Sequence, residues 1–144
     1  MKRILTLCIG NICRSPLAQA LLARDLPHHT VWSAGLGAMV GLGADPLSIR
    51  VAAEHGLDIT PHRAQQVTRW LCQQAELILV MEQAHKIKLE KLFPTVRGKA
   101  FILGQKGNFD IVDPYQQSLE AFETAYAALA QGVADWVPRI RQLG

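Results

Sequence analysis

The first sixteen residues constrain the fold of this chain most. Ile4-Leu5-Thr6-Leu7 is a short apolar run behind two charges, the stretch from Cys8 to Arg14 contains Gly10 and Asn11, and Ser15-Pro16 follows. A continuous apolar run of this length suits a strand buried on both faces, as in a parallel sheet. Ser followed by Pro marks a helix start: the hydroxyl can cap free N–H groups and Pro fits the first turn. Leu17, Ala20, Leu21 and Arg24 continue at helical spacing, and Pro27 ends the segment.

The same alternation runs down the chain. Thr30 to Ser33 reads as a second strand, followed by a Gly-rich stretch from Gly35 to Gly43. Asp45-Pro46 looks like a cap and first turn leading a helix to Gly56, and Thr68 to Gln74 reads as a short helix. Leu77-Ile78-Leu79-Val80, within Glu76 to Met81, is the clearest buried strand. A helix from about Gln83 to Phe93 stops at Pro94, Ala100 to Leu103 is a fourth strand, and a loop from Gly104 to Gln117 precedes a long helix over about 118–141. Strands alternating with helices imply an α/β fold, a central four-stranded parallel sheet with helices on both faces.

Composition narrows the function classes. A chain of 144 residues fits one domain, 1–144, and is large enough to need no disulfide or metal to hold it together. The net charge of +3 is a mild bias, and no Lys/Arg run exceeds two, so nucleic acid is not suggested. Three Cys do not make a disulfide framework and favour reduced thiols, hence a cytoplasmic setting. The start superficially resembles a signal peptide, but Asn11 and Arg14 interrupt its short apolar part. No apolar run approaches 18 residues, so no membrane span is expected.

The turn between the first strand and the first helix can carry chemistry. Ligands of open α/β sheets bind at the carboxyl ends of the strands, and a helix N-terminus offers N–H groups and positive potential to an anion. Gly10 lets the chain curl, Asn11 tolerates left-handed backbone, and the planar fork of Arg14 can bind two phosphate oxygens. Such surroundings lower a thiol pKa, making Cys8 a candidate nucleophile. With three Cys and nine Arg, the bare spacing arises by chance in roughly one such chain in five, so the pattern alone is weak. Its setting between a strand and a Ser-Pro helix start is what raises it. A proton donor is also needed, and two Asp-Pro pairs compete: capping explains Asp45, whereas Asp113 lies in a long loop, with Asp110 nearby as a solvated decoy.

The stretch Cys8-Ile9-Gly10-Asn11-Ile12-Cys13-Arg14-Ser15-Pro16 resembles the signature of the low-molecular-weight protein-tyrosine phosphatases. Ser33-Ala34-Gly35, His62-Arg63-Ala64 and Asp113-Pro114-Tyr115 match further family landmarks in order, so the resemblance spans the chain. It implies a phosphatase I-like fold, no cofactor, and phosphotyrosine hydrolysis through a phosphocysteine on Cys8, with Arg14 binding phosphate and Asp113 as acid. It also implies that Ser15 hydrogen-bonds the nucleophile while capping its helix, and that Asn11, Ser33 and His62 hold the loop in shape. The resemblance further implies that Cys13 can form a reversible disulfide with the nucleophile. Tyr115 and Met39 are the implied cleft walls, Met39 standing where relatives often carry an aromatic ring. Gln116 replaces a second Tyr of many relatives. Ser33-Ala34-Gly35-Leu36-Gly37-Ala38 is similar to the bacterial subgroup serving capsule and exopolysaccharide production, which implies an autophosphorylating bacterial tyrosine kinase as partner.

Other functions fit less well. Arsenate reductase shares the fold, but its chemistry needs further cysteines, and none follows Cys72, itself expected in the core. A binding module without turnover has no support, since nucleophile, Arg and acid are all present. No Gly-Lys-Ser/Thr ends the turn, which excludes a nucleotide loop, and no Cys/His pairing completes a metal site.

Overall fold

The computed structural model describes residues 2–143. Strands β1 (Arg3–Cys8), β2 (Thr30–Gly35), β3 (Leu77–Val80) and β4 (Ala100–Ile102) form one sheet in the order β2-β1-β3-β4, parallel throughout. Helices α1 (Arg14–Asp25), α2 (Pro46–Glu54), α3 (Arg69–Gln74), α4 (Gln83–Leu92) and α5 (Leu119–Leu143) flank it, with a 3₁₀ turn at Pro94–Val96. This is the α/β architecture that the alternating pattern predicts.

The pleat divides the core in two. Ile4 and Cys8 of β1, with Leu77 and Leu79 of β3, join Leu17 and Leu21 of α1 and Leu129 and Trp136 of α5. Leu5, Leu7, Ile78 and Val80 face the other way, onto Leu71 and Cys72 of α3 and Leu89 of α4. Successive strand residues point to opposite faces, and both faces are covered, hence the near-continuous apolar runs. Cys72 is in the core, as expected. Cys8, pairing with Gly35 at the carboxyl end of β1, emerges on the α1 face. From β1 the chain crosses to β2 on one side and later to β3 on the other, so Cys8 stands at the point where the sheet order reverses.

Most helix limits follow their local signals. Asp45 accepts from Leu47 N at 2.9 Å and caps α2, and Thr68 caps α3 through Leu71 N. The Ser15 expectation needs correction. Cys13 occupies the cap position of α1 and no side chain caps it. Ser15 already lies inside the first turn, and its hydroxyl serves the loop instead. Asp110 is also more than a solvated charge: its Oδ1 accepts from Gln83 N at 3.0 Å, where α4 begins and Glu82 gives no side-chain cap of its own.

Candidate active site

The segment between β1 and α1 wraps around the sulfur of Cys8. Asn11 N donates to Cys8 Sγ at 3.3 Å, and Ser15 Oγ lies 2.9 Å from the same sulfur. Asn11 Nδ2 donates into Ser15 Oγ at 2.8 Å, which leaves the Ser15 proton free for the sulfur or for the Ala34 carbonyl at 3.5 Å. The sulfur-ward contact is the shorter. Cys8 is 2 % exposed, so its thiol is reached through one opening rather than from bulk water.

Asn11 shapes this wrap. It adopts φ +60°, and its fully buried side chain also donates to Ser33 Oγ at 3.0 Å and accepts from Gln65 N at 2.8 Å. Its carbonyl meets His62 Nε2 at 2.6 Å. Burial lowers the His62 pKa, and the bond to the Asn11 carbonyl pulls the other way less strongly. A neutral imidazole facing a carbonyl must carry its proton on Nε2. Asn11→Ala is expected to lower stability by about 2 kcal/mol or more, because it strains the left-handed backbone and orphans buried groups; urea unfolding measures it.

Backbone bonding sets the cleft wall. Leu36 N donates to Cys8 O at 2.9 Å, Gly37 N to Ile9 O at 3.0 Å and Met39 N to Gly10 O at 3.0 Å, so the segment after β2 lies along the Cys8 turn. The approach is so close that a Cβ on Gly35 would sit 2.3 Å from Ile9 O. Cys8, Arg14, Met39, Asp113 and Tyr115 line one cavity of about 140 Å³, with Ile9, Gly10, Ile12 and Cys13. A larger cavity of about 390 Å³ is lined by the supports Ser33 and His62 and contains neither Cys8 nor Arg14. Cys8, Arg14 and Asp113 belong to the smaller one.

Arg14 is 2 % exposed and held from beneath. Its Nη1 donates to Glu82 Oε2 at 2.5 Å and to Ile111 O at 2.7 Å. Nη2 stands 3.6 Å from Asp113 Oδ2, and the buried Nε has no partner. One edge of the guanidinium is thus anchored, and the Nε–Nη2 edge remains to receive an anion side-on. Asp113 accepts from Tyr115 N through Oδ1 at 3.0 Å, which directs Oδ2 toward Arg14, and its side chain is 45 % exposed at the cleft. The neighbouring Cys13 differs from Cys8: burial first, then the Asp45 carboxylate, pushes its thiol pKa far up and holds it neutral. Both thiols are free.

Sequence reasoning missed Glu82 and Gln65. Glu82 immediately follows Met81 at the carboxyl end of β3, the strand beside β1, where a charged residue could have signalled a ligand site. Gln65 acts through its backbone N–H and leaves no side-chain signature. Glu82→Gln is expected to cost about 1–3 kcal/mol in anion-free buffer, because it weakens the compensation of a buried cation. Inorganic phosphate should restore more stability to this variant than to the parent, as Arg14 regains a negative partner; thermal unfolding with and without phosphate measures both.

Among the described residues no His/Cys/Asp/Glu group could hold a metal, and no helix is long and apolar enough to cross a membrane. The arrangement can receive an anion beside a thiol. The chain is 53 % identical over 144 residues to the "Probable low molecular weight protein-tyrosine-phosphatase EpsP" of Ralstonia nicotianae, covering 100 % of this chain and 99 % of that protein. The structure of Vibrio vulnificus Wzb in complex with benzylphosphonate superposes with TM-score 0.92 at 43 % identity, over 95 % of this chain and 97 % of the other. The YwlE arginine phosphatase of Geobacillus stearothermophilus has TM-score 0.92 at 32 % identity, over 99 % and 94 % of the two chains. Residues 3–143 match the family model described as low molecular weight phosphotyrosine protein phosphatase, and it is to this family that the chain belongs.

Proposed function

We propose that the chain hydrolyses phosphotyrosine in two steps through a phosphocysteine on Cys8. In the first, the Cys8 sulfur attacks phosphorus, the S–P bond forms, and the bond to the tyrosyl oxygen breaks as Asp113 donates its proton to that oxygen. In the second, Asp113 takes a proton from water, the water oxygen bonds phosphorus, and the S–P bond breaks to release phosphate and the thiolate. The observation that carries this reading is the convergence of Cys8, Arg14 and Asp113 on one small cavity. Ser15 Oγ and Asn11 N are donors to the sulfur, suited to a thiolate both before attack and as leaving group. The unpartnered Arg14 Nε supports side-on phosphate binding.

Ile12, Met39 and Tyr115 give the cavity apolar surface suited to an aromatic ring. Phosphoarginine would bring N–H donors that the Ile12 and Met39 side chains cannot pair. Turnover of phosphotyrosine, phosphoserine and phosphoarginine peptides, with acid-quenched samples searched by mass spectrometry for phosphate on Cys8, tests the proposal. Phosphotyrosine turnover with an adduct on Cys8 is expected; turnover with the adduct elsewhere, or preference for phosphoarginine, overturns it.

The partner in this reading is an autophosphorylating bacterial tyrosine kinase of capsule or exopolysaccharide production, met in the cytoplasm. The resemblance of Ser33 to Ala38 to that subgroup and the 53 % identity to EpsP support it. Three cysteines, two of them in the Cys8 turn, suit a reducing compartment.

A further inference from the structure

Among the described residues nine large apolar side chains are exposed; of these Ile9 and Tyr115 line the Cys8 cavity, Val40 and Val112 adjoin its lining residues Met39 and Asp113 in the chain, and Leu42 N donates to Met39 O at 3.1 Å. Val40 is 68 % exposed, Leu42 50 % and Val112 77 %, so they fill no core and brace no helix. Scattered surface apolar residues need no explanation, but a cluster at the rim of a binding cavity marks an interaction surface.

The segments that carry these residues are nearly free of charge. Residues 9–12 and 35–43 contain no ionisable side chain, and 111–117 contribute only Asp113 and the Tyr115 phenol. Arg63 lies against Gly43 of the 35–43 segment, and its Nη1 already donates to Thr60 O and His62 O at 3.2 and 2.7 Å. Acidic side chains arriving at this mouth would meet Asp113 on segments that carry no Lys or Arg. Apolar ones would meet Val40, Leu42 and Val112.

Geometry makes such an encounter unavoidable for a protein substrate. A cavity of about 140 Å³ accommodates the phosphate and ring and leaves the substrate backbone at the mouth. An extended chain advances roughly 3.3 Å per residue, so positions one and two on either side of the phosphotyrosine lie roughly 3–7 Å along the rim.

Resting on the phosphotyrosine reading above, we propose that the rim formed by Val40, Leu42 and Val112 docks the main-chain neighbourhood of the substrate and selects phosphotyrosines flanked within two residues by apolar or aromatic side chains. Each flank that leaves water against this rim strengthens binding of the whole segment, while the reacting phosphate sees no change. The effect therefore belongs to kcat/KM for peptides and not to the chemistry of a small aryl phosphate.

The test compares two synthetic phosphotyrosine peptides of equal length, one with Leu and one with Glu at the two positions on either side, alongside p-nitrophenyl phosphate. The parent protein should prefer the Leu-flanked peptide roughly tenfold in kcat/KM. The triple change Val40→Ser, Leu42→Ser and Val112→Ser adds no charge at exposed positions. It should remove most of that preference and leave p-nitrophenyl phosphate within about twofold. A preference for the Glu-flanked peptide, equal rates for the two, or a Leu preference that survives the triple change would each overturn the proposal. Failure of the parent to hydrolyse any of the three substrates would instead overturn the phosphatase reading on which it rests.

Discussion

Replacing Cys8 by Ser should lower kcat for p-nitrophenyl phosphate by about 10⁴-fold or more, with the protein still folded and still binding phosphate. The exchange is nearly isosteric at a site 2 % exposed, so the cost in stability should be near 1 kcal/mol. Arg14 keeps its Glu82 and Ile111 contacts, and inhibition by inorganic phosphate should change only a few-fold. On the proposed mechanism what is lost is the nucleophile: a serine hydroxyl is far less acidic than a thiol, and an alkoxide is out of reach where a thiolate is not. Cys13→Ser is the control. Its buried thiol is held neutral by desolvation and by Asp45, so most activity should remain. Substantial turnover by the Cys8 variant would sink the mechanism, and collapse of phosphate binding would show that the loop, not the sulfur, had been destroyed.

Two residues, Ser15 and Asp110, show what short-range reading can and cannot see. Ser15-Pro16 carries the chemistry of a helix cap, yet Arg14 and Ser15 are already helical, and the Ser15 hydroxyl is taken up by Cys8 and Asn11. Asp110 is an exposed loop charge, as the sequence suggests, but its bond to Gln83 N, 27 residues away, has no local signal. Glu82 is the stronger case. No motif joins it to Arg14, 68 residues earlier, and only the pairing of β1 with β3 places its carboxylate beneath the guanidinium. By contrast the strands were legible because both sheet faces are covered, and Asn11 was legible because a left-handed turn restricts residue choice. Contacts made by parallel neighbours depend on topology, which local periodicity does not encode.

That distinction bears on Asp113, whose proposed role depends on a contact with Arg14, 99 residues earlier. Asp113→Asn keeps the side-chain oxygen that accepts from Tyr115 N and keeps the shape of the loop, but it removes the transferable proton. Loss of a general acid should lower kcat/KM by about 10²–10⁴-fold where the departing oxygen is basic, as in phenyl phosphate or a phosphotyrosine peptide. For p-nitrophenyl phosphate, whose leaving group departs readily as an anion, the loss should be smaller, roughly tenfold or less. A series of substituted phenyl phosphates should thus show little dependence on leaving-group basicity in the parent and a steep one in the variant. Since kcat/KM reports steps up to the first irreversible one, slow hydrolysis of the phosphocysteine does not mask the comparison. The same substitution also takes a negative charge from beside Arg14 Nη2, 3.6 Å away, so phosphate should inhibit the variant more tightly than the parent. Equal losses across the series, with unchanged phosphate affinity, would mean that Asp113 only shapes the loop and that the proton comes from elsewhere.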